Sequence, residues 1–345
     1  MKKQIFLIFL IILLLTGCAP LQQQTDKTKV VATIFPLYDF AREIAGDDAE
    51  VKMLLKPGAE VHSYEPTPQD IIAIQNCDVF LYIGGESDEW VRNVLESIDT
   101  THMQVVALMD SVEAAEEAEG GFAWNGEHEH NENDTHIHEE QSMEYDEHIW
   151  TSPKNAILMA EAIDKALQAA DRSHANGYES RATAYAEKLH QLDQDLTKTV
   201  AEAERNTIIF ADRFPFLYLV RDYGLNYYAA YPGCSSEAEP SAATVAAIIE
   251  KVNETGVPII FFIELSNRLM ANTIAEATGA EELLLHSCQN VSKEEFDRGE
   301  SYLSLMNQNI VNLRKALNRN RLQRSLSDKC PKDFFFVHNV CPFSI

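Results

Sequence analysis

Between residues 174 and 204, Tyr178, Ala182, Tyr185, Leu189, Leu192, Leu196 and Val200 recur at spacings of three and four, with charged residues elsewhere. That stripe predicts one continuous amphipathic helix, a rod of roughly 45 Å at about 1.5 Å per residue. Short apolar runs lie on either side of it. The first set occupies 30–34, 51–55, 79–83 and 105–108, and the second 207–211, 226–230, 259–263 and 283–286. Runs this short, separated by amphipathic stretches, are the pattern of βαβ units around sheets buried on both faces. The expected fold class is therefore α/β: two (β/α) lobes with parallel-type sheets joined by one long rigid helix. The N-terminal lobe is placed at 30–173, the connecting helix at 174–205 and the C-terminal lobe at 206–318. A continuous helix is a stiff connector, so the lobes should move little relative to each other; a Gly/Ser linker would allow large closure, and none is present.

The first residues speak to compartment. Met1-Lys-Lys is followed by an apolar run over 5–15 and then by Leu15-Thr-Gly-Cys18. The run is too short to span a hydrocarbon core of about 30 Å with normal flanks, so 1–17 reads as a secretory signal. Leu-x-Gly-Cys resembles the bacterial lipoprotein box, which makes Cys18 the lipidation site, 18–29 a polar tether, and the outer face of the bacterial cytoplasmic membrane the expected location. The 345 residues suit a body of two ordinary domains, and a formal net charge of −26 argues against nucleic acid or an anionic membrane surface as partner. Of the six cysteines, Cys77 reads as a small buried residue. Cys234 and Cys288 both follow strands of the second lobe and are candidates for a disulfide.

The segment from about 111 to 147 is poor in aliphatics and rich in Glu, His and Asn, and reads as a disordered loop. It contains His128, His130, His136 and His138, imidazoles interleaved with carboxylates, which are donors suited to borderline divalent metals. Beyond it, four positions are candidates for fixed ligands. His62 follows the run ending at Leu55, His286 ends another, Asp212 follows a third, and His148 sits in a loop ahead of Ser152-Pro153, which announces a helix. The carboxyl edge of an open α/β sheet is where ligands bind, and three imidazoles with a carboxylate there would suit zinc. Glu264, at the end of 259–263, is a further candidate. Asp70 has a local duty instead: Thr67, Pro68 and Asp70 form a helix start.

These residues resemble a known family. Val31-Ala-Thr-Ile-Phe-Pro-Leu-Tyr38, Gly58-x-x-x-His62-x-x-Glu-Pro-x-Pro-x-Asp70, Asp146-x-His148-x-Trp-x-x-Pro153 and Tyr223-Gly-Leu225 look like the metal-binding lipoproteins of zinc and manganese ABC importers, over about 29–318. The resemblance implies two lobes joined by a long helix, a metal held between them by residues of both, and delivery to a membrane permease. His62 and His148 match the first two ligand positions. The third, counted back from Gly224, falls on Arg213, which cannot bind a cation; Asp212 beside it could substitute. The fourth position matches His286. The His-rich loop is typical of members thought to carry zinc, and imidazole favours zinc over manganese.

The expected function is thus an extracytoplasmic zinc-binding lipoprotein, monomeric, that hands Zn2+ to an ABC permease. Three alternatives stand beside it: a manganese-type carrier, a zinc-dependent hydrolase with Glu65 or Glu264 as base, and a surface adhesin on the same fold. No Gly-x-Ser-x-Gly, His-Glu-x-x-His or phosphate-binding glycine loop supports an enzyme. After Leu317 the pattern breaks. The 319–345 tail, with Cys330-Pro and Phe334 to Val337 in polar surroundings, looks foreign to the fold and is read as a shifted reading frame or a fused end.

Overall fold

A computed structural model of the protein describes residues 27–117, 123–124, 145–233 and 241–318. The signal segment with Cys18, the tract holding His128, His130, His136 and His138, Cys234 and the tail all lie outside the described residues.

The first lobe carries β1 (Thr28–Ala32), α1 (Phe35–Ala45), β2 (Ala49–Met53), α2 (Pro68–Gln75), β3 (Val79–Tyr82), α3 (Glu89–Ser97) and β4 (Gln104–Ala107). Its strands run parallel in the order β2-β1-β3-β4. Val30, Val31 and Ala32, and likewise Val79, Phe80 and Leu81, are all buried. Since successive side chains point to opposite faces, the central strands are covered on both sides, which is why they read as unbroken apolar runs. Helix α2 starts as expected, with Thr67 and Asp70 forming a reciprocal capping box and Pro68 in the first turn.

Within 111–147, expected to be disordered, residues 111–117, 123–124 and 145–147 are described and hold defined structure. A 3-10 turn at Leu108–Ser111 follows β4, a bridge pairs Glu116 with Tyr145, and β5 (Ala123–Trp124) is a two-residue strand. The Ala115 amide donates to the Tyr218 hydroxyl, which donates to the Asp146 carbonyl. Both roots of the segment are thereby fixed, since these backbone groups find partners within the fold.

Helix α4 (Pro153–Ala170), capped by Ser152, leads to the connecting helix α5 (Ala175–Ala201). Tyr178, Ala182, Tyr185, Leu189, Leu192 and Leu196 are its buried stripe. The second lobe follows with β6 (Thr207–Ile209), β7 (Arg213–Phe214), α6 (Leu217–Tyr223), β8 (Asn226–Ala229), β9 (Tyr231–Pro232), α7 (Ala242–Thr255), β10 (Ile259–Phe262), α8 (Leu269–Thr278), β11 (Glu281–Leu284), α9 (Lys293–Arg298) and α10 (Tyr302–Leu317). Parallel pairs β6–β8 and β10–β11 are joined by a bridge between Phe210 and Phe261, giving the order β8-β6-β10-β11. This repeats the order of the first lobe. β5, from the first lobe's loop, adds antiparallel to the free side of β8.

The last strand ends at Leu284, so His286 lies beyond it rather than in it. The reason is Asn309 of α10. Its side chain accepts from the His286 amide at 2.8 Å and donates to the His286 carbonyl at 2.7 Å, taking both backbone groups from the ladder.

One apolar core runs through both lobes, from Val30 and Leu81 through Trp150, Tyr185 and Leu189 to Phe210, Phe261 and Tyr302. Polar bonds cross the same boundary. Trp150 Nε1 donates to the Ser287 carbonyl at 2.7 Å, and the Tyr302 hydroxyl to the Trp150 carbonyl at 2.7 Å. The Gly58 amide donates to the Val291 carbonyl at 2.7 Å, and Asn290 Nδ2 to the carbonyls of Lys56 and Ala59. The two lobes are held by much more than the connecting helix.

Candidate metal centre

Two loops of the first lobe bring His62 and His148 together. The chain leaves β2 and turns at Gly58, whose φ of 82° is open chiefly to glycine, so that His62 faces the base of the loop carrying His148. The ring centroids are 6.5 Å apart. His148 precedes the 3-10 turn Ile149–Thr151 and is wholly buried, whereas His62 is half-buried.

A carboxylate meets one ring and a serine hydroxyl the other. Asp146 Oδ1 accepts from the His148 amide at 2.8 Å and lies 3.1 Å from His148 Nδ1. A carboxylate oxygen that accepts from Nδ1 favours the tautomer with the proton on Nδ1 and the lone pair on Nε2. His62 Nδ1 lies 3.1 Å from Ser87 Oγ, and the Ser87 hydroxyl and amide both donate to Glu147. Burial lowers the His62 pKa, and the neighbouring His148 and Arg213 add to the effect against Glu147 and Glu60. A depressed pKa keeps the ring neutral, the form that binds metal.

The second lobe contributes a different set. A cavity of about 70 Å³ opens between Ala59, Glu60 and Val61 of the first lobe and Asp212, Arg213, Glu264, Ser266 and Asn290 of the second. Arg213 spans it, with Nη1 3.4 Å from Glu60 Oε1. Asp212 Oδ1 accepts the Arg213 amide at 2.9 Å, and burial raises the Asp212 pKa, opposed by Ser266 and by backbone amides. Glu264 accepts from the Ser287 hydroxyl and, at 2.7 Å, from the Ser287 amide. Leu265 and Cys288, beside these residues, have φ of 59° and 63°, a sparsely populated region for side chains of their kind.

His286 is buried in the second lobe. Its Nδ1 accepts the Cys288 amide at 2.9 Å and lies 3.6 Å from Glu264 Oε2, and its Nε2, 3.7 Å from Glu295 Oε2, makes no hydrogen bond. Among the described residues, no three His, Cys, Asp or Glu side chains are arranged to hold a metal ion. The structure pairs His62 with His148, sets Asp212 and Glu264 on the adjoining cavity, and places His286 Nδ1 3.6 Å from Glu264 Oε2. Cys288 is a free, fully buried thiol, as is Cys77, and Cys234, its candidate disulfide partner, lies outside the described residues.

Sequence reading missed Ser87, Asp146, Glu147 and Gly233. Asp146 and Glu147 adjoin a candidate ligand, a signal that could have found them. Ser87 and Gly233 carry none, because their roles depend on partners far from them in the chain.

Comparison with known proteins bears on what these residues serve. The family described as zinc-uptake complex component A, periplasmic, matches residues 30–316. A zinc-binding lipoprotein (AdcA) of Streptococcus pneumoniae is 32% identical over 92% of this chain. The chain spans 61% of that relative's length. The high-affinity zinc uptake system protein ZnuA of Bacillus subtilis is 31% identical over 85% of this chain and 88% of its own. The crystal structure of the Zn(II)-bound ZnuA-like domain of the pneumococcal AdcA superposes with a TM-score of 0.69 at 29% identity, covering 85% of this chain and all of that one.

Proposed function

We propose, because the chain belongs to the family of zinc-uptake complex component A, that it captures Zn2+ between its lobes and hands it to the membrane permease of an ABC importer. The observation that carries this reading is the pair His62 and His148. Both rings have Nδ1 turned to a hydrogen-bonded partner, which leaves Nε2 of each as the atom for an ion. Asp212 and Glu264 on the adjoining cavity, or water, complete a four-coordinate shell. Two imidazoles against hard carboxylates favour zinc over manganese.

The protein acts as a carrier rather than a hydrolase, anchored by lipid at Cys18 on the outer face of the cytoplasmic membrane and working as a monomer. The loop with His128, His130, His136 and His138 serves as an accessory collector. Titration calorimetry tests the core of this: one tight zinc site per chain, weaker binding of manganese, and no turnover of ester or peptide substrates. His62→Ala and His148→Ala should each abolish tight binding, and retention of wild-type affinity by both variants would refute the assignment.

A further inference from the structure

We propose that Glu147 is a positioning residue for His62, acting through the Ser87 hydroxyl, so that two consecutive carboxylates, Asp146 and Glu147, each orient one of the paired histidines. This rests on the reading that His62 and His148 hold the metal.

Glu147 is only 3% exposed, and among the described residues its carboxylate accepts hydrogen bonds from Ser87 alone. Burying a carboxylate on two hydrogen bonds is costly, and the surrounding chain is shaped to admit it. At Gly85 a methyl group would overlap Glu147 Oε2 and lie 2.5 Å from Glu147 Cβ. The turn Glu86–Asp88 that presents Ser87 is fixed separately, by Asp88 accepting the amides of Ile83 and Gly84. Glu147 is therefore not needed to hold the turn.

Proton accounting gives the connection its direction. The Ser87 amide donates to Glu147 Oε2 at 3.0 Å, and the hydroxyl donates to Oε1. Ser87 Oγ has one proton, and that proton goes to Glu147. What remains toward His62 Nδ1, 3.1 Å away, is a lone pair. His62 must then be the donor, with its proton on Nδ1 and its lone pair on Nε2. The arrangement reproduces at one remove what Asp146 does directly for His148. Partners of this kind commonly contribute about 10–100-fold to metal affinity.

The substitution Glu147→Gln reverses the direction. The Ser87 amide needs an acceptor, so the new carbonyl oxygen takes the Oε2 place and the amide NH2 faces Ser87 Oγ. The hydroxyl proton then points at His62 Nδ1, and the ring proton moves to Nε2, where the metal would bind. The tautomer of His62 in the metal-free protein can be read from its ring 15N shifts. Zinc affinity is measured in parallel against a chromophoric chelator, and stability by thermal unfolding.

Wild-type protein should show His62 protonated on Nδ1. Glu147→Gln should show the Nε2–H form and about 10–100-fold weaker zinc binding, with the His148 tautomer and the unfolding temperature unchanged. Ser87→Ala should weaken zinc similarly, and Ser87→Thr, which keeps the hydroxyl, should restore the wild-type tautomer and affinity. The proposal is overturned if wild-type His62 carries its proton on Nε2, if Ser87→Ala binds zinc within twofold of wild type, or if Ser87→Thr fails to restore binding. Should His62→Ala itself bind zinc as tightly as wild type, the failure lies with the metal assignment rather than with the relay.

Discussion

Gly233 follows β9 in the second lobe and packs against His148 of the first. Its φ is not among the positive values, so the need for glycine is one of space. A methyl group there would lie 3.1 Å from His148 Cε1 and Nδ1 and 2.9 Å from the Phe214 carbonyl oxygen. Favourable carbon contacts begin near about 3.5 Å, so Gly233→Ala forces something to move by a few tenths of an ångström. The Phe214 carbonyl belongs to β7, whose pairing with β9 resists displacement. The imidazole is held at Nδ1 by the 3.1 Å contact to Asp146 and is the softer of the two. Overpacking of this kind costs about 1–3 kcal/mol. A bound ion would hold the ring where the methyl group is, so the strain reappears on binding. Loss of roughly 1.4–2.8 kcal/mol is about 10–100-fold in affinity, within what the strain can supply. Competition titration of zinc measures it, with thermal unfolding of the metal-free protein alongside. An affinity within twofold of wild type, with the unfolding temperature lowered, would mean that the carbonyl yields instead of the ring, and would refute the reasoning.

Arg213 occupies the third ligand position of the family resemblance, and replacing it by histidine removes a charge near His62 while adding a donor. Arg213→His should tighten zinc binding at least about tenfold by calorimetry; unchanged affinity would mean that position 213 does not face the ion. The Cys288 thiol is free and buried, and burial pushes its pKa up, so non-reducing peptide mapping after denaturing alkylation should find it alkylated. A Cys234–Cys288 linked peptide would contradict this. Burial pushes the Asp88 carboxyl up to about 7, opposed by the amides of Gly84 and Ile83. The folded protein therefore holds that proton more tightly than the unfolded chain, and the group's favourable contribution fades as pH rises from about 4 toward 7. Relative to wild type, Asp88→Asn should gain stability at pH 8 compared with pH 4 in urea unfolding; an equal difference at both pH values would exclude the mechanism.

The lobes and the connecting helix were legible because burial imposes period and composition locally. Strand ends were less so. The runs at 30–34 and 51–55 correspond to strands at Thr28–Ala32 and Ala49–Met53, a shift of two residues. Apolar content continues past the ladder into Ile34, Leu54 and Leu55, which are buried in the loops that follow. His62 and His148 stood out because no cap or helix stripe explained them. His286 stood out in the same way. A histidine after a strand gives no hint that Asn309 will take its backbone, or that the Cys288 amide will meet its Nδ1. Long-range partners carry no local signal, and the Ser87–Glu147 bond is the plainest case.

The division of labour across the cleft follows from these placements. Both imidazoles, with the carboxylates that orient them, belong to the first lobe, so that half of the site is rigid before any ion arrives. The second lobe offers Asp212 and Glu264 around a space that Arg213 already enters. That guanidinium pairs with Glu60 of the first lobe, and its positive charge opposes a dication entering the same space. The bonds from Gly58 and Asn290 across the lobe boundary lie directly beneath the His62 loop. They tie the His62 loop itself to the second lobe and so oppose its separation from Asp212 and Glu264.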